Sequence, residues 1–310
     1  MGAVHGNMEG VHGHGHDHQH GASAPSRLLA WALAANVLLA VAQVAGGFAF
    51  GSLSLLADAA HQLVDVVALG SVLLAQWLAA RPPGGRRTYG WQRADVLASL
   101  VCAVLLLASS VWIVIEAIQR FGDPVEIDGP GVVALAILGL AVNGGSAYLL
   151  ARTSSRSLGI RSAVTHLVAD AAGSAGVLVA GLAAWFFDAS WVDTVLSLVI
   201  AGAVAVAAVQ LLRESSHLLL EGAPQGLDPS SVAGALSDEP GVEAVHHLHV
   251  WALASDVPAM SAHVQLQGSL TLHEAQEAGH RLKAMLHDRF GIEHATLELE
   301  CHPCEDTDHH

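Results

Sequence analysis

Charge is scarce in this chain. Only 13% of its 310 residues are charged, against 53% hydrophobic, and that is about half the charged share of a soluble domain. The shortage argues against an ordinary soluble protein and for a membrane protein. A secretory signal is also missing. The N-terminus is histidine-rich rather than basic, and the first apolar run, Leu28–Phe50, is too long for a signal core. A net charge of −15 gives no reason to expect a nucleic-acid partner. No His-Glu-x-x-His lies in an apolar run. The single His-Glu, His273-Glu274, stands in the polar tail with Glu277 four residues after His273, which argues against an intramembrane metalloprotease. Cysteine is limited to three residues. Cys102 sits alone in an apolar run and reads as packing, whereas Cys301 and Cys304 form a pair near the C-terminus.

What the chain does have is apolar length. Leu28–Phe50, Leu53–Ala80, Ala94–Ile118, Gly131–Leu150, Ala163–Phe187 and Trp191–Leu212 are six runs, each near or beyond the ~20 residues that cross a hydrocarbon core. Nine basic residues, Arg27, Arg81, Arg86, Arg87, Arg93, Arg152, Arg156, Arg161 and Arg213, fall on one side of this pattern; only Arg120 falls on the other. Positive-inside bias then puts both termini in the cytoplasm. Residues 1–26 are a Gly- and His-rich segment expected to be disordered. Residues 27–212 form the membrane domain and residues 213–310 a soluble α/β tail. In that tail, Asp228 can cap a helix from Pro229 to about Leu236, and Val242–Leu253 and Ala259–Gln267 read as strands. Thr271 can cap a helix to about Phe290 that Gly291 ends, and Ile292–Glu300 reads as a last strand. This αββαβ order suits a small two-layer, metallochaperone-like domain that gains stability from dimerisation or metal.

Two short strings carry the chemistry. His61-Gln-Leu-Val-Asp65 lies in the second run and His166-Leu-Val-Ala-Asp170 in the fifth. Residues i and i+4 share a helix face, so each string sets an imidazole beside a carboxylate. One such pair alone is as well read as a polar contact between helices; two in separate spans favour an ion pathway. Two nitrogens and two oxygens suit tetrahedral Zn²⁺, with Cd²⁺ or Co²⁺ as further candidates, whereas Mg²⁺ and Ca²⁺ prefer all-oxygen shells. A bound Zn²⁺ cancels both aspartate charges. An empty site takes up protons instead, so metal and H⁺ compete for the same lone pairs. Asn36, Gln43 and Asn143 read as interhelical hydrogen bonds, and Asp58 as a cation attractor or an interfacial group.

The long string Gly51-Ser-Leu-Ser-Leu-Leu-Ala-Asp-Ala-Ala-His-Gln-Leu-Val-Asp65, the loop Tyr89-Gly-Trp-Gln-Arg93 and His247-Leu-His-Val-Trp251 resemble the cation diffusion facilitator family in its zinc-transporting branch. The resemblance covers nearly all the chain after Ser26. It implies a homodimer in a lipid bilayer that exports Zn²⁺ in exchange for protons, with His61, Asp65, His166 and Asp170 as ligands. Some relatives carry histidines in the loop after the second span; residues 81–93 contain none here. The short loop between spans four and five gives the layout a bacterial look, and so a bacterial inner membrane.

The family also implies zinc in the tail. His249, His263, His294, Glu300, Cys301 and Cys304 are the candidate ligands, because imidazoles, thiolates and a carboxylate in one small domain can hold Zn²⁺. A redox role is the rival for the cysteines, but only six residues follow Cys304, too few for the helix such a pair usually opens. His246 and His247 fit less readily, since adjacent strand residues point to opposite faces. His12, His14, His16, His18 and His20 read either as a weak zinc collector or as histidines without a part in transport. The alternative function is a membrane zinc sensor or scaffold that moves nothing.

Overall fold

The computed structural model describes residues 24–50, 53–120, 129–153, 157–187 and 191–302. Six long helices come first: α1 (Ala24–Phe50), α2 (Leu53–Ala79), α3 (Ala94–Arg120), α4 (Gly129–Ala151), α5 (Leu158–Phe187) and α6 (Trp191–Leu219). They are apolar on nearly every face, as helices solvated by lipid must be. Trp31, Leu38, Val67, Trp112 and Val199 are exposed on the outside of the bundle. Inside, small residues let backbones approach: Ala68, Ala75, Ala98, Cys102, Ala147 and Ala163 pack with Leu69, Val72 and Leu167. α3 lies along α6, α4 along α5 and α1 along α2, while α2 and α5 also touch.

Two helices outlast their apolar runs by five residues or more. α5 starts at Leu158, five residues before the apolar stretch, and α6 continues to Leu219, seven residues past Leu212. The added turns carry Arg161 and Glu214, which form an ion pair. Hydrophobicity marks the bilayer-facing length, whereas backbone hydrogen bonding carries a helix onward into water or headgroups. Gln62 on α2 donates to the Asn36 side chain on α1, the interhelical bond expected of Asn36. The Asn143 side-chain oxygen is buried without a hydrogen-bond partner, unlike the bond expected for it. The side chains of Gln43 and Asp58 lie outside the described residues.

The tail holds α7 (Pro229–Ser237), β1 (Val242–Ala254), β2 (Val257–Leu266), α8 (Leu272–Phe290) and β3 (His294–Glu300). Asp228 caps α7 by accepting from the Ser230 N–H. Thr271 and Glu274 form a capping box on α8, and Gly291 ends it at φ 67°, a left-handed conformation that suits glycine. β1 and β2 pair antiparallel, β2 and β3 parallel, in the order β1-β2-β3. The parallel pair requires a crossover, which α8 supplies. Val232, Leu236, Met260, Val264, Leu282 and Leu286 close the core beneath the sheet. Ala252 of β1 packs with Val96, Leu158 and Leu211, so the tail docks on the ends of α3, α5 and α6.

Candidate metal sites

Asp65 lies on α2, and His166 and Asp170 on α5, where these two helices meet. His166 Nε2 is 3.0 Å from Asp65 Oδ1 and 4.0 Å from Asp170 Oδ2. One ligand atom from each of the three residues lies within 4.8 Å of the others. Asp65 is 2% exposed and His166 1%. Apart from the 3.0 Å approach of His166 Nε2 to Asp65 Oδ1, which lacks the angle of a good hydrogen bond, both ring nitrogens of His166, Asp65 Oδ1 and Asp170 Oδ2 are buried with no hydrogen-bond partner. Such groups at membrane depth are costly unless something satisfies them. Lone pairs converging from two helices on one point form a donor set that could hold a cation. His61 falls on α2 one turn before Asp65; its side chain lies outside the described residues.

Why these residues meet follows from local structure. His166 and Asp170 share one face of α5 by the i, i+4 rule, and that face turns toward α2. Cys102 on α3 is wholly buried and its thiol lies 3.7 Å from the Ala68 carbonyl oxygen of α2, in keeping with its expected packing role.

A second cluster forms in the tail. His263 Nδ1 is 2.7 Å from Glu300 Oε1, and His246 Nε2 is 3.2 Å from Glu300 Oε2. His246, His263 and Glu300 bring ligand atoms within 4.8 Å of one another. Apart from their own 3.2 Å contact, which lacks the angle of a good hydrogen bond, His246 Nε2 and Glu300 Oε2 are buried with no hydrogen-bond partner, so the donor set fits a bound metal. The His247 ring stands 5.0 Å from that of His263 and 5.2 Å from that of His246. Glu298 Oε2 approaches His263 Nε2 at 3.4 Å from the exposed side.

This cluster differs from the set expected of the tail. His263 and Glu300 are in it. His249 is exposed, pairs with Ser261 across the sheet and lines the cleft facing Trp91 and Arg93. His294 is exposed at the start of β3 and packs edge-on against Tyr89. Cys301 is an exposed free thiol. Cys304 and His12, His14, His16, His18 and His20 lie outside the described residues.

His246 and His247 fit less readily on the rule of alternation, and a β-bulge breaks that rule. His246 pairs with His263, but the next pair is His249 with Ser261, three residues against two. His247 takes up the extra residue at φ 49°. Both rings then gather at His263. No turn residue in the sequence announces this bulge; the only hint is four histidines, His246, His247, His249 and His263, on strands expected to pair.

Comparison with known proteins agrees with this architecture. Residues 29–220 match the cation efflux transmembrane domain, and residues 224–302 the cytoplasmic domain of cation efflux proteins. The zinc transporter ZitB of Escherichia coli is 37% identical over 92% of this chain and 90% of its own length. The metal cation efflux system protein CzcD of Cupriavidus metallidurans is 36% identical over 91% and 89%. A cadmium, cobalt and zinc/H(+)-K(+) antiporter of Bacillus velezensis is 32% identical over 84% and 83%. A solved metal-bound C-terminal domain of CzcD aligns with 24% of this chain and 99% of its own, at 34% identity and a TM-score of 0.22. The chain belongs to the cation diffusion facilitator family, in its zinc-transporting branch, and is a membrane transporter for divalent metal efflux rather than an enzyme.

Proposed function

We propose that this protein exports Zn²⁺ from the cytoplasm in exchange for protons, through a four-ligand site of His61, Asp65, His166 and Asp170. The observation that carries this reading is the convergence of buried Asp65 and His166 with half-buried Asp170, whose ligand atoms find no hydrogen bond outside the cluster. His61, one helical turn from Asp65, supplies the fourth ligand. Two carboxylates neutralise Zn²⁺, and the imidazoles bind it through nitrogen only when unprotonated. Protons and metal therefore exclude each other from the site. Alternating access of such a site to the two sides exchanges one for the other. A relative named as a cadmium, cobalt and zinc/H(+)-K(+) antiporter supports both the coupling to protons and a tolerance for Cd²⁺ and Co²⁺.

The remaining assignments follow from placement. The nine arginines on the tail side support cytoplasmic termini, and the bacterial relatives support a plasma membrane. The working division is residues 1–26, 27–212 and 213–310. The tail supports a homodimer and a zinc site made by His246, His263 and Glu300 beside His247, with Cys301 and Cys304 as further candidates. The N-terminal histidines act as a zinc collector. Deleting residues 1–20 is expected to raise half-saturating zinc about two- to threefold while sparing the maximal rate; a lost maximal rate would give the segment a structural part.

The test of the membrane site is a binding measurement. Purified protein lacking residues 1–20 and carrying His263→Ala, Glu300→Ala, Cys301→Ser and Cys304→Ser is titrated with zinc in weak buffer while released protons are counted. Zinc uptake with proton release that vanishes on adding Asp65→Ala supports the assignment. Uptake indifferent to Asp65→Ala rejects it.

A further inference from the structure

Away from both metal clusters, one buried carboxylate joins four segments. Asp95 stands in the first turn of α3 and is 6% exposed. Its Oδ1 accepts from Ser157 Oγ at 2.8 Å and from Gln76 Nε2 of α2 at 3.2 Å. Its Oδ2 accepts from Ser255 Oγ at 3.0 Å. Ser255 sits in the turn between β1 and β2, so this last bond crosses from the membrane domain to the tail. The two serines also hold the start of α5. Ser157 Oγ accepts from the Ile160 N–H, and Ser255 Oγ accepts from the Leu158 N–H, both at 3.2 Å. These N–H groups belong to the unsatisfied first turn of a helix. The tail therefore supplies part of the cap of the helix that bears His166 and Asp170. The fit is close: a Cβ at Gly159 would collide with the Asp95 carboxylate.

We propose that Asp95 is a latch that holds the tail-side ends of α2, α3 and α5 together, with Ser255 as its detachable member, so that the seating of the tail's hairpin sets how readily the tail side of the bundle opens. This rests on the reading that α2 and α5 carry the transport site. Asp95 acts through those helices and is a positioning residue. A carboxylate suits the part because it only accepts, and it can take several donors at once. An amide would turn an N–H toward the same donors. Cys102 lies seven residues beyond Asp95, two turns deeper on the same face of α3, and its thiol approaches the Ala68 carbonyl oxygen. It stands between the latch and the metal site and reports whether α2 and α5 part from α3.

The test uses full-length protein in vesicles with Cys301→Ser and Cys304→Ser, leaving Cys102 as the one thiol. N-ethylmaleimide modification of Cys102 is timed beside zinc transport and thermal melting. Ser255→Ala is expected to speed modification about tenfold, as for a lost hydrogen bond to a charged group. It should also lower half-saturating zinc from the tail side severalfold by raising the competent fraction, with melting unchanged. Ser255→Thr should restore both values. Asp95→Asn should modify at least as fast as Ser255→Ala. Equal modification rates in wild type, Ser255→Ala and Asp95→Asn overturn the latch, as does faster modification accompanied by an equal fall in melting. Transport that survives Asp65→Ala would instead remove the site reading and leave the labelling result to stand by itself.

Discussion

The membrane cluster and the tail cluster use similar donors on opposite foundations. Asp65, His166 and Asp170 project from uninterrupted helices, and two of the three come from one i, i+4 pair. His246, His247 and His263 meet because a strand is irregular, with His247 in a left-handed conformation. The first cluster is 1–2% exposed at His166 and Asp65, whereas the second is only half-buried. A site that alternately faces two sides needs ligands on rigid bodies that move as wholes. A site that only holds metal can rest on a local bulge. On the proposed function, the difference assigns transport to the first cluster and stabilisation to the second.

The largest expected effect breaks the comparison at the membrane end. Asp65→Ala or Asp170→Ala should cut zinc flux at least ~100-fold, because one carboxylate fewer leaves the metal charge and its partners uncompensated. Insertion and the tail's metal binding should be untouched. Flux assays beside zinc counts on the same preparation check this, and normal flux in either variant would sink the contrast.

At the other end, Glu300→Ala removes the carboxylate that touches both His246 and His263. Full-length protein should then lose most of its zinc-dependent stabilisation of the tail, about 2–3 kcal/mol at saturating metal. Flux should change in half-saturation or rate without vanishing. His247→Ala is expected to do less than His246→Ala, since His246 supplies a nitrogen within the ligand group. Hydrogen exchange on tail amides with and without zinc reads this, and protection that ignores Glu300 would empty the cluster of metal.

The contrast also explains what the sequence disclosed. Helical spacing alone brought His166 and Asp170 onto one face, and two matching pairs in two spans pointed to their meeting. The caps at Asp228 and Thr271 and the stop at Gly291 were equally readable, because each is a local rule acting on one residue. His249 enters the expected set through the resemblance, and His246 and His247 fit less readily because adjacent strand residues ordinarily point to opposite faces. The bulge that overrides alternation is a tertiary adjustment with no local marker. The latch was hidden for a similar reason: Asp95, Ser157 and Ser255 are far apart in the chain and unremarkable singly.

A smaller effect concerns ligand type. His61→Asp trades a nitrogen donor for oxygen and adds negative charge, so the Cd²⁺/Zn²⁺ transport ratio should shift severalfold toward Cd²⁺. A ratio that stays put in paired flux assays would assign selectivity to something other than the first ligand on α2.

The smallest effect separates the tail's fold from its metal. Thr271→Ala removes one half of the capping box and should cost about 1 kcal/mol of tail stability with or without zinc. Hydrogen bonding from the Thr271 backbone N–H and hydroxyl holds the Glu274 carboxyl below its ordinary range. A depressed carboxyl contributes stability above its unfolded value, and that contribution is lost as pH falls through the folded one. Thr271→Ala should therefore also flatten the acid limb of the tail's unfolding curve. An unchanged limb would remove this cap from the acid response.

The central claim is that protons and zinc share the site on α2 and α5, and zinc flux driven by an imposed pH gradient in sealed vesicles tests it most directly. Wild-type protein is expected to move zinc against its own gradient while the proton gradient lasts, to stop when an ionophore collapses it, and to show no such movement with Asp170→Ala. Zinc accumulation that persists after collapse, or that Asp170→Ala supports at the wild-type rate, would contradict the account.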